Sequence, residues 1–128
     1  MDPLTGRLDE LRRGLGAIGP DAWLVGGAMR DLLRGEAVSD VDVAIAGDAG
    51  RASRALATRY EATRFALSDE FGAWRVAGGR LPFTVDITPL QGETILEDLS
   101  KRDLTVNAIA APIGDGDLID PFGGRRDI

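Results

Sequence analysis

Leu4, Leu8, Leu11, Leu15 and Ile18 return at steps of three and four residues, the spacing that gathers apolar side chains on one stripe of a helix. The pattern predicts a helix over about residues 5 to 17, stopped by Gly19-Pro20. Ala22-Trp23-Leu24-Val25 is apolar throughout and bounded by Pro20-Asp21 and Gly26-Gly27, so it reads as a buried strand emptying into a glycine turn. A second helix is expected from Ala28 to Arg34, ended by Gly35. From Asp40 to Ala46 acidic and apolar residues alternate. A period of two puts Asp40 and Asp42 on one face of a strand and Val41, Val43 and Ile45 on the other.

Asp48 is placed to cap a helix from Ala49 to about Tyr60, with Ala52, Leu56 and Tyr60 on its apolar side. Residues 62–67, 73–77 and 83–88 read as strands, the last two joined through Gly78-Gly79 and Pro82 as a hairpin-like connection. A helix from Thr94 to Lys101 follows, and then an apolar stretch, the turn Gly114-Asp115-Gly116-Asp117, and Asp120-Pro121-Phe122-Gly123-Gly124. Helices and strands alternate early and strands cluster late. The order predicts an α/β chain of α+β character, a small mixed sheet with flanking helices, in place of a fully parallel doubly wound one.

With 128 residues, the chain has room for one domain and one core. It is 44% hydrophobic and 28% charged, as a globular domain is. No apolar run approaches the roughly 20 residues that span a bilayer, and the first residues carry acid and proline with no apolar segment behind them, so no secretory signal is visible. A cytoplasmic location is the expectation. Cysteine and histidine are both absent, which excludes disulfides, thiolate nucleophiles, imidazole bases and zinc sites of the usual kind. Chemistry must then draw on carboxylates, arginine, hydroxyls or a hard cation. A net charge of −6 gives no general attraction for phosphate backbones, so nucleic acid has to be held locally or by another segment.

The chain contains two Asp-x-Asp pairs, a spacing that an acidic sequence yields by chance. The pair Asp115 and Asp117 lies between glycines and reads as a solvated turn. Asp40 and Asp42 differ in position: they share a face of an apolar-backed strand, and a third strand acid, Asp86, follows in Thr84-Val85-Asp86-Ile87-Thr88. The plainer reading is a sheet face turned to water. The sharper one is a divalent-cation cluster, because Mg²⁺ takes oxygen ligands and bridges carboxylates to substrate phosphates. Gly26-Gly27 is a tight turn by its simplest reading. The sequel Ala28-Met29-Arg30-Asp31 adds a helix N-terminus and an Arg, an arrangement that can cradle a triphosphate, although neighbouring Arg30 and Asp31 also make an ordinary surface ion pair. Lys101-Arg102-Asp103 and Asn107 read as a charged helix end, or as a carboxylate and an amide set to meet ribose hydroxyls.

Taken together, the segments Leu24-Val25-Gly26-Gly27-Ala28-Met29-Arg30-Asp31-Leu32-Leu33-Arg34-Gly35, Asp40-Val41-Asp42, Asp98 to Ala110 and Asp120-Pro121-Phe122-Gly123-Gly124 resemble the head domain of the class II CCA-adding enzyme and bacterial poly(A) polymerase family, within the DNA polymerase β-like nucleotidyltransferases. The resemblance covers about residues 22 to 127, with residues 1–20 as an added N-terminal helix, so that residues 1–128 form a single head domain. It implies the polymerase β-like head fold, with Asp40, Asp42 and Asp86 as catalytic, metal-binding acids for Mg²⁺, or Mn²⁺ in its place. In a two-metal arrangement one ion lowers the pKa of an attacking RNA 3′-hydroxyl and the other neutralises the triphosphate and leaving pyrophosphate. The resemblance also sets the nucleotide at Gly26, Gly27, Arg30 and Asp31, with Arg102, Asp103 and Asn107 holding phosphate and ribose.

The partners so implied are an NTP, ATP or CTP, and an RNA 3′ end, most naturally tRNA, held weakly by this chain alone. Relatives carry a neck with an acid pair and an Arg that select the base, and a body and tail that grip tRNA; the chain ends at Arg125-Arg126-Asp127-Ile128 before these, so base selectivity is expected to be impaired. Either a shortened chain or a natural head-only protein fits that ending. An uncovered neck surface implies weak self-association. The short segment from Leu90 to Thr94, where many relatives carry a flexible loop, bears on nucleotide switching more than on chemistry, and Lys101 and Leu104 stand where Arg and Phe are frequent. Two other readings stay open: a stand-alone transferase acting on a protein or small-molecule hydroxyl, and a non-catalytic nucleotide-binding module. Three crowded acids argue against the last, since like charges without a cation cost stability.

Overall fold

A computed structural model describes residues 3–128; Met1 and Asp2, and the side chains of residues 3–5 with Leu4 of the apolar stripe among them, lie outside the described residues. The leucine stripe forms α1 (Pro3–Gly14), which gives way to a 3₁₀ turn over Gly16–Ile18 instead of running on to residue 17. Gly14 is the reason: glycine is a poor helix former, its carbonyl accepts the Tyr60 hydroxyl at 2.6 Å, and the Phe83 ring lies against its Cα. β1 (Ala22–Val25) runs straight into α2 (Gly26–Leu33). The helix therefore begins at Gly26 itself, with no separate glycine turn before it, and ends one residue short of Arg34.

β2 (Asp40–Ile45) leads to α3 (Ala49–Tyr60), whose N-terminal Gly50 and Arg51 N–H groups donate to the Asp48 carboxylate at 2.8 and 3.2 Å, the expected cap. β3 (Thr63–Ser68), β4 (Ala73–Ala77) and β5 (Thr84–Pro89) fall within a residue of the expected strands. α4 (Ile95–Ser100) is capped by the Thr94 hydroxyl, which accepts the Glu97 N–H at 3.1 Å. The tail holds a 3₁₀ turn over Thr105–Asn107, a two-residue strand β6 (Ala111–Pro112) and a closing 3₁₀ turn over Gly124–Asp127. The second Asp-x-Asp pair lies in an exposed turn, with Gly116 N–H donating to Asp115 at 2.9 Å.

Six strands make one mixed sheet in the order β3-β4-β5-β2-β1-β6, with β2 and β5 parallel and the other neighbours antiparallel. One face is closed: Leu24, Val41, Val43, Ile45, Val76, Val85 and Ile87 are buried with Leu11 and Leu15 on the α1 side, Met29 and Leu32 of α2 and Leu56 of α3. The other face carries a smaller core of Val25 and Ala44 against Leu99 of α4, Ala108 and Ala110. Beyond that cover the second face is open, and the acids stand there. Among the described residues no helix is long and apolar enough to cross a membrane.

Candidate active site

The alternation in β2 has the outcome expected of it: Val41 and Val43 are each 1% exposed, while Asp40 is exposed and Asp42 half-buried. Parallel pairing sets Asp42 beside Asp86 of β5, and Asp40 beside Thr84. The register continues on both sides, so that Phe65, Arg75, Asp86, Asp42 and Val25 form one row across five strands. Cross-strand partners share a face. The three acids predicted from sequence are thus brought onto one surface by β2 and β5.

Their surroundings are unequal. Burial drives the Asp42 carboxyl above the ordinary carboxylate range, and the neighbouring charge of Asp86 pushes the same way, with Asp40 adding to it; Arg102 and the Ala28 N–H pull it back down. Asp86 is taken up by Arg75, whose Nε and Nη2 donate to its two oxygens at 2.7 and 3.0 Å in a bidentate fork. That hydrogen-bonded contact holds the Arg75 guanidinium more firmly protonated than usual. Among the described residues no group of three or more acidic side chains is gathered closely enough to enclose a metal ion.

The start of α2 meets Asp42 directly. Gly26 adopts φ +64°, where L side chains are strained, and a Cβ there would stand 3.3 Å from Asp42 Oδ2 and 3.6 Å from Arg102 Nη1. Around this point lies a pocket of about 330 Å³, lined by Gly26, Gly27, Asp42, Thr88, Gln91, Asp98, Arg102 and Asn107 among others. An adjoining hollow takes in Lys101 and Asp103 as well. Arg30 and Asp31 are not in the pocket wall: Arg30 Nε donates to Asp31 Oδ1 at 3.2 Å, and its guanidinium folds back over Gly27. Both lie on the first two turns of the helix, and Arg30 alone approaches the lining, at Gly27.

Asp98, to which the sequence alone assigns no role, is 1% exposed. Arg102 Nε and Nη2 donate to its Oδ1 at 3.0 and 2.8 Å, and Gln91 N–H donates to its Oδ2 at 2.9 Å. It fixes Arg102 at the pocket wall, and the i,i+4 spacing in Asp98-Leu99-Ser100-Lys101-Arg102 was the available signal. Arg75 left no such signal, since only the register of β4 on β5 brings it to Asp86. Asn107 Oδ1 is buried with no hydrogen-bond partner among the described residues, an acceptor waiting for a donor in a pocket. Its 3₁₀ turn is held from behind by Asp120-Pro121-Phe122-Gly123-Gly124: Asp120 accepts the Gly124 and Arg125 N–H groups at 2.7 and 3.2 Å, and a Cβ on Gly124 would fall 2.0 Å from the Thr105 carbonyl oxygen.

Over residues 22–93 and 82–128 the chain matches the family described as Poly A polymerase head domain, and it belongs to that family. Among individual relatives, the CC-adding tRNA nucleotidyltransferase of Geobacter sulfurreducens is 40% identical over 107 residues, covering 84% of this chain and 25% of that protein. The A-adding tRNA nucleotidyltransferase of Deinococcus radiodurans is 44% identical over 109 residues, covering 85% and 24%. A solved tRNA nucleotidyltransferase, complexed with a primer tRNA and an incoming ATP analog, superposes with a TM-score of 0.74 at 34% identity over 94% of this chain and 36% of that one. The chain spans about a quarter of the length of the two named relatives. The mixed sheet with flanking helices is that of the CCA-adding enzyme head.

Proposed function

We propose that this chain is the catalytic head of a metal-dependent tRNA nucleotidyltransferase, moving NMP from an NTP to an RNA 3′-hydroxyl. The observation that carries the reading is the row of Asp42 and Asp86, with Asp40 beside it, next to a pocket walled by the start of α2, Arg102 and Asn107. Carboxylate oxygens are the donors a hard divalent cation takes, and the burial and acidic neighbours that raise Asp42 are relieved by positive charge at that spot. Asp40, Asp42 and Asp86 share one surface without being gathered into a cluster, and their side chains would draw together to hold Mg²⁺ or Mn²⁺. Bound there, the cation supplies charge neutralisation for the triphosphate and acidifies the attacking hydroxyl.

The chain's own groups do the rest by positioning. Arg102, braced by Asp98, binds phosphate as a fixed fork. N–H groups at the start of α2 face the same anion, with Gly26 and Gly27 keeping side chains out of its way. Asn107 Oδ1 accepts from a nucleotide hydroxyl or amino group, Asp103 serves from the adjoining hollow, and Arg30 with Asp31 closes the outer edge. ATP and CTP are the substrates in view, with the tRNA 3′ end as acceptor. An acidic chain holds that acceptor weakly by itself. Exposed Leu104, Phe122 and Ile128 support weak self-association, and a sedimentation coefficient independent of concentration would count against it.

The test is incubation with Mg²⁺, each labelled NTP in turn, and a tRNA lacking its 3′ end, beside an Asp40→Ala/Asp42→Ala chain. Extension with several NTPs that the double substitution removes is the expected result; extension that survives it overturns the reading. NTP binding that needs Mg²⁺ and both acids, without extension, would leave the site standing and put acceptor positioning elsewhere. Labelling of the chain itself without RNA would instead favour a protein hydroxyl as acceptor.

A further inference from the structure

Both oxygens of Asp86 are engaged by one guanidinium, that of Arg75, at 2.7 and 3.0 Å. The two side chains are 40% and 26% exposed, so water screens the pair and it opens at modest cost. Without Arg75, Asp86 would face Asp42 across strands about 4.8 Å apart, and like charges in register destabilise a sheet. Arginine stays protonated throughout, so a cation that takes its place at Asp86 exchanges one positive charge for another. We propose that Arg75 is a positioning residue that occupies Asp86 in the metal-free protein and releases it to a divalent cation arriving at Asp40 and Asp42. Asp86 joins the cation by exchange, ion for ion, with no proton moving. This rests on the metal reading above.

The experiment is a Mn²⁺ titration of the metal-free full chain, followed by the electron spin resonance of the free ion, with no nucleotide present. The set is wild type, Asp42→Asn, Arg75→Gln, Asp86→Asn and Arg75→Gln/Asp86→Asn. Asp42→Asn is expected to lose most of the binding. Arg75→Gln is expected to bind Mn²⁺ roughly twofold to fivefold more tightly, the competitor's share for an exposed pair, and that gain is expected to vanish in the Asp86→Asn background. Equal tightening in both backgrounds would mean a long-range charge effect and overturn the proposal, as would unchanged or weaker binding in Arg75→Gln. If Asp42→Asn binds as wild type does, the metal reading itself fails; if it loses binding while Arg75→Gln stays at the wild-type value, only the role of Arg75 fails. Melting is the second readout: Arg75→Gln should melt below wild type without metal and recover part of the difference with Mn²⁺, and a wild-type melting temperature in the metal-free variant would overturn the countercharge role.

Discussion

On the helix-covered face of the sheet, Val41, Val43, Val85 and Ile87 are 1% exposed or less; on the opposite face the residues that alternate with them, Asp40, Asp42 and Asp86, reach water. The same two strands serve both, one residue in two for each. Stability is concentrated where apolar area leaves water, and the proposed chemistry where charge is kept in tension with its surroundings. A substitution should therefore damage one face without the other, and that separation can be tested.

The largest effect is expected on the acid face. Asp42→Asn should slow primer extension roughly a thousandfold, the loss of several kcal/mol of charge stabilisation, while the urea midpoint holds or rises because a strained carboxylate is gone; a lowered midpoint would mean the two faces are coupled. Next comes the closed face. Ile87→Ala removes a fully buried side chain and should cost about 2–5 kcal/mol in urea unfolding, with Mn²⁺ affinity unchanged in the folded fraction. Gly124→Ala tests the support behind the pocket: a Cβ against the Thr105 carbonyl forces the turn aside, for about 1–3 kcal/mol, and nucleotide affinity should fall with it as Asn107 shifts. Retained affinity would detach that motif from the site.

The smallest effect is one of pH. Asp42 titrates above its ordinary value in the folded chain, chiefly through burial and then through Asp86. A group raised in this way adds stability that is fully present below its unfolded pKa and is lost as pH rises through the folded one. Metal-free protein should lose stability over that interval as pH rises, and Asp42→Asn should abolish the slope in urea titrations run at stepped pH. An unchanged slope would assign it to another carboxyl.

Where local rules govern, the sequence was readable. Alternation in Asp40 to Ile45 sorted the two faces, and Asp48 capped the helix that follows it, while Thr94, expected as the first helical residue, is the cap of α4. The family resemblance pointed to the three acids and to Gly26, Gly27, Arg102 and Asn107 of the pocket, but also to Arg30 and Asp31 outside its wall, and it gave no role to Thr88, Gln91 and Asp98. What escaped depends on partners far along the chain. α1 stops at Gly14 because Tyr60 and Phe83 meet it there. β6 is two residues held by β1 and was hidden in an apolar stretch. Arg75 becomes part of the site only through the register of β4 on β5. Asp98 and Arg102 carried a helical spacing that marks contact but not burial, and burial is what turns that pair into a brace.

The parallel pairing of β2 with β5 has a temporal consequence. Asp42 and Asp86 lie about forty residues apart, and contacts of such sequence separation wait on the closure of everything between them. A growing chain that has left the ribosome only as far as β3 holds two of the acids on a strand without its central neighbour, and neither Arg75 nor Asp86 has yet emerged to pair with it. Tight cation capture should then appear in refolding with the closing of the middle of the sheet and not with early helix formation. On the proposed metal reading, the ion would then bind only after the middle of the sheet has closed.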